Sequence, residues 1–147
     1  MPDQPPARPH DPDCIFCRII QGDIPCHKLH EDDHTLAFLD INPVAPAHTL
    51  LIPKAHYATL DQLPPATAAA LFAPIPKLAA AVTKSVGAEA YNILQNNGVA
   101  AGQAVHHVHI HIIPRGLPDS NFTFTWPATH LDNDHAADLI QKIRANL

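Results

Sequence analysis

Three histidines alternate with aliphatic residues in His107-Val108-His109-Ile110-His111-Ile112-Ile113. A period of two predicts a β-strand, with the imidazoles on one face and Val108, Ile110 and Ile112 on the other. The aliphatic face has to be buried, so the chain must build a sheet around this strand. At a rise of ~3.3 Å per residue the first and third histidines anchor about 13 Å apart, while a zinc–histidine bond spans only ~2 Å. One metal ion therefore does not gather all three rings. A row of imidazoles suits an elongated anionic substrate instead, one ring attacking and its neighbours donating hydrogen bonds where negative charge develops. The middle ring, His109, is the natural nucleophile.

The 147 residues suit one domain with a single core. The first twelve are polar and hold five prolines, which predicts a flexible tail (1–12) and no secretory leader, followed by one domain over 13–147. Hydrophobic residues make up 46% of the chain, yet none of their runs is long enough to span a bilayer. A formal charge of -5 argues against a general affinity for nucleic-acid backbone. Anionic ligands must then be met locally, by histidine, Lys54, Arg115 and backbone amides. Three cysteines are too few for a secreted disulfide scaffold and fit a reducing, cytoplasmic setting.

Along the chain, Ile15–Ile20 is a short apolar segment that could be helix or strand. Leu36–Leu39 and Thr49–Ile52 read as an antiparallel strand pair joined through Pro43 and Pro46. The Ala-rich stretch 65–86 carries Pro74 and Pro76, which predict two short helices rather than one. Ala90–Gln95 reads as a strand, Asn96–Gln103 as a loop, and Val105–Ile113 as the returning histidine strand. Asp134–Asn146 has the spacing of a surface helix. The sum is α+β: an antiparallel sheet of about five strands, a helical segment on it and a C-terminal helix.

The histidine run resembles the signature of the histidine triad (HIT) family of nucleotide hydrolases and transferases. The likeness spans roughly residues 14 to 131, through Phe38-Leu39-Asp40-Ile41, His48-Thr49-Leu50-Leu51-Ile52-Pro53-Lys54, Gly102-Gln103-Ala104-Val105 and Pro114-Arg115. It is nearest to the bacterial-type branch related to the Hint proteins. The resemblance implies that His109 attacks the α-phosphorus of a purine nucleotide to give a nucleotidyl-imidazole, with no metal needed for that step. It places His107 and His111 beside the phosphate and His48 near them as a fourth histidine. Asp40 would grip ribose hydroxyls, and Asn96, Gly102, Gln103 and Ala104 would meet the nucleotide close to the scissile phosphate. Ala104 stands where relatives usually have serine, whose hydroxyl lies near the leaving group. A homodimer is also implied.

Cys14-x-x-Cys17 has metal-ligand spacing but equally fits a buried pair or a redox pair. Relatives that carry it complete a structural zinc site with histidines that correspond here to His56 and His107. Substrates implied are nucleoside phosphoramidates or dinucleoside polyphosphates. Competing readings are a nucleotide-binding scaffold with little turnover and a zinc-dependent phosphohydrolase. Cys26 reads as a free thiol, and His106, His27, His30, His34, His130 and His135 have no assigned role.

Overall fold

The structure is a computed structural model that describes residues 7–147. The expected tail therefore lies partly outside the described residues. Its described part is fastened: the Pro9 carbonyl accepts from His56 N at 2.7 Å, and the Asp11 carbonyl accepts from Cys14 N at 3.1 Å.

Helix α1 (Ile15–Gln21) settles the open choice for the first apolar segment. Gly22 ends it at φ 87°, a left-handed conformation that glycine adopts without a Cβ penalty, and its N–H satisfies the last carbonyls. Strands β1 (Lys28–Glu31), β2 (Thr35–Leu39) and β3 (Thr49–Pro53) follow, then helices α2 (Pro65–Phe72) and α3 (Ile75–Val86). Strands β4 (Ala90–Gln95) and β5 (Ile110–Arg115) and helix α4 (Asn133–Arg144) complete the chain. The five strands form one antiparallel sheet in the order β1-β2-β3-β5-β4.

Both sheet faces are covered. On one, Val108, Ile110 and Ile112 pack with Leu71, Leu78, Ala79 and Val82 from α2 and α3. On the other, Phe16 and Cys17 of α1 pack with Leu36, Phe38, Leu50 and Ile52. That is why β3 is buried at every position rather than at alternate ones. Within Pro65–Val86 an 18-residue window reaches a mean hydropathy of 1.4, more apolar than the sequence reading allowed. They form two helices of 8 and 12 residues laid on the sheet, each too short to cross a bilayer.

One expectation is corrected, and one strand goes unsignalled in the sequence. The histidine strand does not begin at Val105: the β-ladder starts at Ile110, paired with Gln95 and Leu51. Strand β3 runs on to Pro53 against β2, but ahead of Ile110 the chain leaves both neighbours and finds other partners. His107 N donates to Val105 O at 2.9 Å, and Val108 N donates to Tyr57 O at 2.8 Å. The two-sided alternation persists all the same: Val108 and Ile110 enter the core under α2 and α3, while His107 and His109 are buried against Phe16. Strand β1 carries no apolar alternation, and its exposed edge position explains why nothing in Lys28-Leu29-His30-Glu31 signals a strand.

Candidate active site

A cavity of about 350 Å³ opens between α1, the end of β2 and the segment leading into β5. Its walls are mostly apolar, with Phe16, Ile19, Phe38 and Ile41 prominent, and Asp40, Asn42, His109 and His111 are among its polar lining. Such a space accepts a flat apolar body whose polar end reaches the histidines.

Backbone partners fix the proton on each ring, because a carbonyl can only accept and an amide N–H can only donate. His109 Nδ1 lies 2.7 Å from the His107 carbonyl and must donate to it. Its Nε2 is left with a lone pair for the cavity. His107 Nε2 lies 2.8 Å from the Pro53 carbonyl and likewise donates. His48 Nδ1 accepts from Val44 N at 3.2 Å, and His48 Nε2 lies 2.8 Å from His111 Nδ1. Burial holds the His111 pKa well below the ordinary histidine value, at about 4, and nearby His109 and His48 lower it further. Burial also lowers that of His48, against the opposing pull of Asp40. Near neutral pH both rings are uncharged.

His107, which the family likeness places beside the phosphate, does not line the cavity. It is fully buried, and burial holds its pKa at about 4. One ring nitrogen is committed to Pro53, and the other, carrying a lone pair, faces Cys14 Sγ at 3.5 Å, Cys17 Sγ at 3.7 Å and His56 Nδ1 at 3.1 Å. What His107 offers the site is its carbonyl, which orients His109.

Cys14, Cys17, His56 and His107 converge, with their donor atoms all within 4.8 Å of one another. Tetrahedral zinc with sulfur bonds of ~2.3 Å and nitrogen bonds of ~2.0–2.1 Å needs donors roughly 3.3 to 3.8 Å apart. The contacts of His107 and the 3.4 Å between Cys17 Sγ and His56 Nδ1 lie close to that range. Without a cation, burial pushes the Cys17 thiol up to about 11. Two thiols and two imidazole nitrogens turned toward one another suit a soft divalent ion better than they suit each other.

Other expected residues divide. Asp40 lines the cavity while its Oδ1 accepts from Asn42 N at 2.8 Å, so it is both a turn former and a ligand candidate. Ala104 sits where this cavity meets a second hollow lined by Asp11, Asp13 and His106. Gln103 braces the loop and does not line the cavity. Its Oε1 accepts from Gly98 N at 2.7 Å, and its Nε2 donates to the carbonyls of Ala58 (2.7 Å) and Val105 (3.0 Å). Gly102, at φ 86°, lies beside Asn96, and a Cβ there would come 3.8 Å from Asn96 Nδ2. Neither residue lines the cavity. His48 is 4% exposed and reaches the site only through His111. Sequence reasoning missed the apolar wall, because an apolar residue lining a cavity and one filling a core leave the same pattern.

Fold and site together define an α+β protein that presents two imidazoles, with His109 Nδ1 committed to a backbone carbonyl, from an antiparallel sheet to an apolar cavity. The HIT domain family model matches residues 21–116, and the chain belongs to the HIT family. It is 52% identical over 138 residues to adenylylsulfatase HINT3 of Arabidopsis thaliana, covering 92% of this chain and 70% of that protein. It is 42% identical to adenosine 5'-monophosphoramidase hnt1 of Schizosaccharomyces pombe, covering 91% and 98%. The crystal structure of a HIT family protein from Bacillus anthracis superposes with a TM-score of 0.88 at 38% identity, covering 92% of this chain and 98% of that one.

Proposed function

We propose that this protein hydrolyses nucleotides at the α-phosphate, or transfers the nucleotidyl group, through a covalent nucleotidyl-His109 intermediate. One observation carries the reading: His109 gives its Nδ1 proton to the His107 carbonyl and keeps an Nε2 lone pair at the cavity. The base occupies the apolar end near Phe16 and Phe38, the ribose meets Asp40, and the phosphorus lies at His109 and His111. His109 Nε2 attacks phosphorus as the bond to the leaving group breaks, and the departing atom takes a proton from solvent, to which the water of the second step returns one. Water then displaces the imidazole, and the N–P bond breaks to release the nucleoside monophosphate. The names of the two relatives, an adenylylsulfatase and an adenosine 5'-monophosphoramidase, support a purine nucleotide joined to a sulfate or amine leaving group.

Cys14, Cys17, His56 and His107 would hold zinc as a closed structural site, which supplies no reacting group and ties the N-terminal segment to the sheet. A reducing, cytoplasmic setting keeps those thiols available. We also read the protein as a homodimer. Among the described residues strand β4 is a free sheet edge with Tyr91 and Ile93 exposed, and Trp126, Ile140 and Ile143 of the C-terminal segment are exposed as well, so a second copy would find apolar surface to bury.

His109→Ala tests the mechanism. It removes the nucleophile and leaves the cavity, so turnover should fall at least a thousandfold, on the order of losing a whole covalent route, while nucleotide affinity stays within about tenfold. A rapid acid-free quench should trap a nucleotidyl adduct on His109 of the wild type. Unchanged turnover in the variant would sink the proposal.

A further inference from the structure

The turn between β2 and β3 is more heavily bonded than a connection requires. Asp40 N donates to His48 O at 2.9 Å, His48 N to Ala45 O at 3.1 Å, and Thr49 Oγ1 to Ala47 O at 2.9 Å. Ala47 is held at φ 60°, the one non-glycine residue among those described with a positive φ. A left-handed alanine is strained and persists only where its surroundings over-determine it. The strained residue immediately precedes His48.

What the turn achieves is a fixed direction of bonding. It brings Val44 N–H to His48 Nδ1 at 3.2 Å, and with the proton on Nδ1 the two would meet donor to donor. The proton of neutral His48 therefore sits on Nε2. Two acceptors lie near it: His111 Nδ1 at 2.8 Å and Asp40 Oδ2 at 3.7 Å, the second beyond hydrogen-bond range. His111 Nδ1 must then accept, which leaves the His111 proton on Nε2.

We propose that the β2–β3 turn sets the tautomer of His111: the Val44 amide orients His48, and His48 in turn holds the His111 proton on the ring nitrogen left for the cavity. His48 is thus a positioning residue and does not touch the substrate, consistent with its absence from the cavity wall. The two cavity histidines acquire opposite polarity. His109 presents a lone pair, and His111 presents an N–H that can donate to a phosphate oxygen or to the departing atom. Ring centroids 5.0 Å apart bring them to one substrate group. The catalytic consequence rests on the function proposed above, whereas the tautomer itself does not.

Nitrogen-15 NMR of ring-labelled wild-type protein tests the tautomer without substrate. The expected result is a scalar coupling across the His48 Nε2–H···Nδ1 His111 bond, with the proton attached to His48, and the His111 proton on Nε2. A proton on His111 Nδ1 would overturn the inference. In His48→Leu the Nδ1 signal of His111 should lose its hydrogen-bond shift and the second tautomer should appear. Turnover should fall on the order of tenfold at little changed KM, about what one lost hydrogen bond gives. His48→Gln, whose amide can donate in place of Nε2–H, should restore turnover to within about threefold. His111 shifts that do not move in either variant would also overturn the proposal. Failure of the His109→Ala test would refute the nucleotidyl mechanism and leave these spectra unaffected.

Discussion

Single residues at this site work by which lone pairs they have left. Three imidazoles in a row look interchangeable in the sequence, yet each is assigned a different task by what its second nitrogen meets: a carbonyl for His109, a carbonyl and the cysteine pair for His107, and His48 for His111. Position 104 carries a further consequence. Ala104 lies at the junction of the cavity with the hollow lined by Asp11, Asp13 and His106, where a leaving group would depart. A serine hydroxyl there would assist the departing atom, and assistance matters most when that atom is basic. Ala104→Ser should therefore raise kcat/KM for nucleoside phosphoramidates more than for dinucleoside polyphosphates, by ~1 kcal/mol, or about fivefold. Steady-state kinetics on one substrate of each class would measure it, and equal effects would show that position 104 does not discriminate leaving groups.

At the scale of elements, α1 is the piece whose attachment needs explaining. It has only seven residues, too few for a stable isolated helix, and no side chain caps its N-terminus. Packing of Phe16 edge-on to His107 and His109, with ring centroids 5.8 and 5.2 Å away, holds one side. Cys14 at the N-cap and Cys17 three residues on give it a second fastening through His56 and His107. Cys14→Ser should bind less than one zinc per chain by metal analysis and unfold at a lower temperature. Turnover per folded molecule should stay within about twofold, because no reacting group belongs to that cluster. Full zinc stoichiometry in the variant would exclude these ligands. The elements also mark where periodicity misleads. Alternation in Val105–Ile113 reports correctly which aliphatic side chains face the helices, but a strand is defined by ladder bonds, and the pairing of this segment with β3 and β4 begins only at Ile110.

For the whole molecule, the surface that matters is the one left open. Beyond Asn121, whose N–H reaches Val44 O at 2.8 Å, the chain is largely exposed, with Trp126 78% exposed and Ile143 58%. An amphipathic helix in that state gains stability by covering its apolar side. Light scattering at micromolar concentration should give twice the mass of one chain, and a monomer mass would refute the dimer. The sequence by itself determined four strands of the sheet, the two-helix layer and the histidine row from which His109 is proposed as nucleophile, since apolar periodicity and imidazole chemistry are local properties of Leu36–Leu39, 65–86 and 107–111. Tertiary structure alone decided that His107 serves as a brace and cluster donor, that Gln103 binds backbone, and that His48 reaches His111 across 63 positions. Those roles depend on which donor meets which acceptor. Directional bonds between residues far apart in the chain leave no period in the sequence, whereas burial of an apolar face does.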